Sequence, residues 1–238
     1  MERSLAYARK EKGRMIGISI ATTWEFDATI AYFHVSPEER IVYPYGEYFT
    51  REMNGKTLLF YSTGVRKVNG IGANQYMILR FPLTKVIIAG TCAGIDPRYD
   101  ILDIIVPDCA VQYDCTVKEI EPLIKPSFVV NLDVSKYGND FHLGTIGTAD
   151  RAVVMWRDYI ELQDNGLTIA DTEAGAVAYI CQKNAVECII IKGISDFPTE
   201  EKNEGAVEAN AEQMRIYIEN TPKVMRRIFD DYLHRFLM

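Results

Sequence analysis

IADTEAGAVAYICQKNAVECIIIKGISDFP, running from Ile169 to Pro198, is the stretch whose reading decides the fold. A short apolar strand end, Ile169-Ala170, passes through Asp171-Thr172-Glu173-Ala174-Gly175-Ala176 into a helical run that lasts to Asn184. Cys188-Ile189-Ile190-Ile191-Lys192 then reads as a strand buried on both faces, because its β-branched run does not alternate with polar residues. It closes on Gly193-Ile194-Ser195-Asp196-Phe197-Pro198. Two carboxylates thus take parallel places, Glu173 where a strand hands over to a helix and Asp196 just beyond a strand's carboxyl end. In an open α/β sheet that edge is where ligands bind.

Working outward, Met15-Ile16-Gly17-Ile18-Ser19-Ile20 is a second strand of the buried kind, followed by a helix over residues 25–33 with Thr22 or Thr23 as its cap. Glu25 opens that helix, so a third carboxylate sits at a strand-to-helix turn. Residues 40–61 alternate aromatic and polar around Asn54-Gly55, the strongest hairpin signal in the chain, and predict an antiparallel meander attached to the first strand. An amphipathic helix ending near Arg80 offers Ile71, Ala73, Tyr76, Met77 and Leu79 to the core. Lys85-Val86-Ile87-Ile88-Ala89 is a strand leading into the turn Gly90-Thr91-Cys92-Ala93-Gly94, whose small residues let backbone N–H groups approach a ligand. Further strands are expected over 103–108 and 141–147, with an irregular segment over 118–140 between them. Trp156, Tyr159, Ile160 and Leu162 mark a helix, residues 198–205 a charged loop suited to a lid, and the remainder a helix interrupted at Pro222 with Val224, Ile228, Tyr232 and Phe236 on one face. Strands alternating with helices give an α/β class: one domain, residues 15–238, with a mixed central β-sheet flanked by helices, preceded by a solvated extension over 1–14.

Composition limits what that site can serve. At 238 residues and 48% hydrophobic, the chain is long enough for one large core. A net charge of −7 argues against nucleic acid and anionic membrane as partners. Five cysteines without a CxxC, and no apolar run near the roughly 18–20 residues a bilayer needs, point to the reducing cytoplasm. His34, His142 and His234 lie too far apart in sequence to suggest a metal site.

Together these motifs resemble the purine nucleoside phosphorylase and nucleosidase superfamily. The resemblance is carried by Ile16-Gly17-Ile18 with Glu25, by Gly64-Val65-Arg66-Lys67-Val68-Asn69, by Gly90-Thr91-Cys92-Ala93-Gly94, and above all by Asp171-Thr172-Glu173-Ala174-Gly175-Ala176 paired with Lys192-Gly193-Ile194-Ser195-Asp196. Glu25 points within it to the methylthioadenosine/adenosylhomocysteine nucleosidases. The resemblance implies that Glu25 activates a water for attack at C1′ of the ribose and that Glu173 holds the ribose hydroxyls. Asp196, oriented by Ser195, then protonates N7 of the departing purine, while Thr91, Cys92, Ala93, Gly94, Val153 and Thr172 contact the nucleoside. It also implies a homodimer that needs no cofactor beyond water.

The chemistry asks for the same set. Breaking an N-glycosidic bond develops positive charge on the sugar and negative charge on the base, so anions beside the ribose and a donor at the base stabilise the transition state. An ordinary carboxyl group, with a pKa of about 4, is a poor donor at neutral pH, so Asp196 must be buried or hydrogen-bonded as the neutral acid while Glu25 and Glu173 stay ionised. Phosphorolysis is disfavoured, because the loop Ala21 to Trp24 has no basic residue and Ile88 stands where the related hexameric phosphorylases carry a phosphate-binding Arg. The chain departs from the family at Ala152, where an aromatic stacks on the base, at Thr172 in place of Met, and at Lys192 in place of Arg. Trp156 is the candidate substitute for the stacking aromatic. A phosphate-dependent phosphorylase and a non-catalytic nucleoside-binding protein remain as alternatives.

Overall fold

The computed structural model describes residues 13–115, 129–153, 156–198 and 207–238. Residues 1–12 of the expected extension over 1–14, residues 118–128 of the irregular segment over 118–140, and all but Pro198 of the expected lid lie outside the described residues. The eleven strands among the described residues form one mixed sheet. Its spine is β1 (Met15–Ile20), β4 (Lys56–Ser62), β5 (Leu83–Gly94) and β11 (Glu187–Asp196), with β1 parallel to β4 and β5, and β11 parallel to β5. β2 (Ile41–Tyr43) and β3 (Gly46–Met53) add the antiparallel meander outside β4. Asn54 and Gly55, both at positive φ, make the two-residue turn that registers Met53 against Lys56. On the far side β10 (Ile169–Asp171) joins the end of β5, followed by β9 (Thr145–Thr148), β7 (Cys109–Gln112) and β8 (Val129–Asn131), while β6 (Ile104–Ile105) pairs with β11.

Helices cover this sheet in pairs. α1 (Thr23–Tyr32) packs on α5 (Val207–Arg227), and α2 (Lys67–Arg80) on α4 (Ala174–Lys183), with α3 (Trp156–Asp164) over a smaller cluster of Val153, Tyr159, Leu162 and Leu167. The spine strands are buried along their lengths, as their unbroken apolar runs require.

Five expectations are corrected. The stretch from Gly90 to Gly94 is not a turn but the last part of β5, which crosses from its parallel partner β11 to the antiparallel β10. Small residues are needed there because a Cβ at Gly94 would stand 2.3 Å from the Phe197 ring. The strand expected over 103–108 shrinks to Ile104–Ile105, since Pro107 has no N–H to give a ladder; that over 141–147 begins only at Thr145. α5 runs straight through Pro222. The carbonyl that loses its donor there belongs to Ile218, on the exposed side of the helix, where water can replace the bond. Finally, α2 buries Ala73, Asn74, Met77 and Ile78, whereas Leu79 is 62% exposed.

That last correction gives a test. Met77→Ala should cost about 2–5 kcal/mol of stability by urea unfolding, as a fully buried side chain does, while Leu79→Ala should change it by no more than about 0.5 kcal/mol.

Candidate active site

The carboxyl ends of β1, β4, β9, β10 and β11 and the final third of β5 surround one cavity of about 350 Å³. Glu25, Glu173, Ser195, Asp196, Thr91, Cys92, Ala93, Thr172 and Val153 all line it. Gly94 does not, being packed against Phe197, and neither does Trp156, which stacks on Tyr159 with centroids 4.6 Å apart.

Glu25 is at the third position of α1 and 1% exposed. Thr22 and Glu25 form a reciprocal capping box: the Glu25 N–H donates to Thr22 Oγ1 and the Thr22 N–H to Glu25 Oε2 at 2.8 Å. The other oxygen, Oε1, accepts from both the backbone N–H and the hydroxyl of Thr91, at 2.6 and 2.7 Å. The polar groups of Thr91 are therefore turned to Glu25. Gly90 is what lets β5 come this close, because a Cβ there would lie 2.5 Å from Oε1.

Glu173 caps α4 and its Oε1 accepts from the Thr172 hydroxyl and, at 2.6 Å, from the N–H of Arg66. Arg66 holds φ at +81°, a conformation that favours glycine, and its guanidinium donates to the Asp150 carbonyl at the cavity rim. Burial, and next the charge of Asp171, push the Glu173 carboxyl up to about 7, against the pull of Lys192. The direction of the shift runs against the ionised form that the sequence reading asks of this group.

Lys192 lies under the cavity, 1% exposed, with its ammonium 3.0 Å from Asp171 Oδ2. Burial opposes its charge, but Asp171, Glu25 and Glu173 together hold it above its ordinary value. Asp171 also accepts from the Thr148 hydroxyl and from the N–H groups of Glu173 and Ala174.

Asp196 ends β11 and is buried, which raises its carboxyl above the usual range even though two donors oppose the shift. Those donors are the Ser195 hydroxyl, 2.5 Å from Oδ1, and the Gln213 amide, 2.8 Å from Oδ2. The Ser195 hydroxyl is also 3.1 Å from the Cys92 carbonyl oxygen, and Asn220 of α5 donates to the Ser195 carbonyl at 2.9 Å. Because its neighbours can donate, a proton on Asp196 is free to point into the cavity. Burial pushes the Cys92 thiol up, consistent with a packing role rather than a nucleophilic one.

Sequence reasoning missed Trp24, Arg66, Met214, Tyr217 and Gln213, all of which line the cavity. Trp24 stands next to Glu25 and meets Tyr217 edge to face at 5.8 Å, while the Tyr217 hydroxyl donates to Thr22 Oγ1 at 2.8 Å. The spacing of Gln213, Tyr217 and Asn220 puts all three on one face of a helix, but nothing in the sequence said which face looked inward.

The sequence profile of the phosphorylase superfamily matches residues 15–230. A 5′-methylthioadenosine/S-adenosylhomocysteine nucleosidase of Geobacillus sp. (strain WCH70) is 24% identical over 207 residues, covering 78% of this chain and 88% of that protein. An aminodeoxyfutalosine nucleosidase of Helicobacter pylori is 27% identical over 207 residues, covering 79% and 87%. A crystal structure of a Helicobacter pylori 5′-methylthioadenosine/S-adenosylhomocysteine nucleosidase has the same fold, with a TM-score of 0.74 at 21% identity over 92% of this chain and all of that one.

The raised Glu173 predicts a pH dependence of stability. Between its ordinary 4.5 and about 7 the native state keeps the proton that the unfolded chain has released, so stability falls as pH rises through that window. Glu173→Gln should flatten the fall, measured by urea unfolding across the window; an unchanged slope would show that Glu173 is not the group responsible.

Proposed function

The chain belongs to the phosphorylase superfamily, and from that premise we propose that it hydrolyses the N-glycosidic bond of a purine nucleoside in the manner of the methylthioadenosine/adenosylhomocysteine nucleosidases. The observation that carries this reading is the convergence of Glu25, Glu173 and Asp196, whose carboxyl burial raises above the usual range, on one cavity. Simple binding of a nucleoside does not need a base at one end and an acid at the other.

In this mechanism the bond between C1′ and N9 breaks with its electron pair going to the base, and Asp196 delivers its proton to N7 of the leaving purine. Water bonds to C1′ and gives up a proton to Glu25, whose carboxylate is fixed in place by Thr22 and Thr91. Glu173 accepts hydrogen bonds from the ribose hydroxyls. The negative charge of its carboxylate faces the positive charge that grows on the sugar, so its stabilisation is strongest in the transition state. Cys92, Ala93, Thr172 and Val153 shape the cavity walls, and Ser195 orients Asp196. We further assign the chain to the cytoplasm and to a homodimer, with the exposed Val42 and Val68 as apolar contacts that a second copy would cover.

A phosphorylase is the second reading, and Arg66 is the observation in its favour. The case against phosphate rested on the loop Ala21 to Trp24 without a basic residue and on Ile88, yet a guanidinium from elsewhere, that of Arg66, stands at the cavity rim. Its place beside Glu173, rather than at Glu25 where the nucleophile is activated, favours water. Ile88, at the position of a phosphorylase arginine, is buried in β5.

Release of free base from methylthioadenosine, adenosylhomocysteine, adenosine and inosine, with and without phosphate, tests the proposal. Turnover is expected without phosphate and should drop on the order of 10²–10⁴-fold in Asp196→Asn; strict dependence on phosphate would establish the second reading instead. Gly90→Ala, which drives a methyl group against Glu25, should lower kcat on the order of 10²-fold with the fold intact by circular dichroism.

A further inference from the structure

Gln213 is 7% exposed and reaches Asp196 from α5. Its Nε2 donates to Asp196 Oδ2 at 2.8 Å and to the Val153 carbonyl at 3.2 Å. A backbone carbonyl can only accept, so Val153 keeps the nitrogen of the amide, not its oxygen, turned toward Asp196. The other carboxyl oxygen, Oδ1, meets the Ser195 hydroxyl at 2.5 Å, and that hydroxyl also lies 3.1 Å from the Cys92 carbonyl oxygen. A hydroxyl both donates and accepts. When Asp196 is ionised the Ser195 hydrogen can go to Oδ1; when Oδ1 carries a proton, that hydrogen can turn to Cys92 and the Ser195 oxygen accept instead. Ser195 therefore adapts to either form of Asp196, whereas Gln213 is a donor to both.

A neutral carboxyl group has one carbonyl oxygen, which accepts well, and one hydroxyl oxygen, which accepts poorly. A fixed donor at Oδ2 thus selects the form whose proton is on Oδ1. We propose that Gln213 is a positioning residue for the proton of Asp196: by donating to Oδ2 in both states, it makes Oδ1 the oxygen that carries and releases that proton. The inference rests on Asp196 as the acid of the proposed reaction.

In that reaction the proton passes from Oδ1 to N7 of the purine, and the Ser195 hydrogen turns back from Cys92 to Oδ1. The carboxylate left behind then has a donor on each oxygen, so the pair of hydrogen bonds strengthens as the negative charge forms. Burial is what first raises the Asp196 carboxyl, and Ser195 and Gln213 oppose it. The charged groups around the same cavity are Glu25, Asp171, Glu173 and Arg66. On β5, burial pushes the Cys92 thiol up, so it stays neutral beside Asp196.

The test follows the Asp196 carboxyl itself, by carbon-13 NMR of the chain labelled at aspartate Cγ with Asp196→Asn identifying the signal, alongside the pH profile of kcat/KM for methylthioadenosine and inosine. Gln213→Met keeps the length of the side chain and removes the donor. It should raise the midpoint of the Asp196 titration and the alkaline limb of the profile together, by about one pH unit. Gln213→Glu, which sets a second carboxylate against the first, should raise both further. In the native chain the Gln213 side-chain amide signal should move with pH at the Asp196 midpoint. A midpoint unchanged in folded Gln213→Met, or a native amide signal that does not follow Asp196, would overturn the proposal whatever happens to the rate. If the midpoint moves and neither nucleoside is cleaved, the hydrolytic reading falls while the hold of Gln213 on the Asp196 proton stands.

Discussion

The site depends on one buried cation. Lys192 brings an ammonium group to the middle of the sheet, where burial alone costs several kcal/mol, and the cost is offset by Asp171 at 3.0 Å with the charges of Glu25 and Glu173 beyond it. Asp171 is itself tied to Thr148 on β9 and to the backbone of α4's first residues. The pair therefore locks β9, β10 and β11 into register at their functional ends and fixes the helix start that carries Glu173. A lysine suits this role because its charge is compact; the planar fork of an arginine would need a wider space among the same carboxylates.

With that charge in place, each carboxylate is given a different character by its neighbours. Glu25 is surrounded by donors. Glu173 faces another carboxylate and loses part of its ionisation, and Asp196 is held in a dry wall between a hydroxyl and an amide. In the proposed reaction this separates groups of one chemical type into base, electrostatic support and acid. α5 links two of them: Gln213 and Asn220 grip Asp196 and its neighbour Ser195, while Tyr217 touches the threonine that caps Glu25. A shift of that one helix would move Asp196 and the cap of Glu25 together.

Much of this was legible in the sequence, because buried parallel strands read as unbroken β-branched runs and carboxylates at strand ends stand out against them. The Asn54-Gly55 turn was visible for the same local reasons, and so was the helix start near Glu25, although the sequence left its cap open between Thr22 and Thr23. What escaped was decided by packing at a distance. Gly90 to Gly94 has the composition of a turn, and only the approach of Glu25 and Phe197 explains why small residues are needed inside a strand. Pro222 reads as a break, but its position on a solvent-facing turn makes it tolerable. Gln213 belongs to a polar stretch of α5 that would suit a solvated surface equally well, and its inward aim comes from the way α5 packs on β5 and β11.

The central claim is that water, activated at Glu25, is the nucleophile. The most direct test is to run the reaction in phosphate-free buffer made with ¹⁸O-labelled water and analyse the released sugar by mass spectrometry under single-turnover conditions. One labelled oxygen at C1′ for each base released is the result this account predicts. An unlabelled sugar, or a sugar 1-phosphate formed only when phosphate is added, would contradict it.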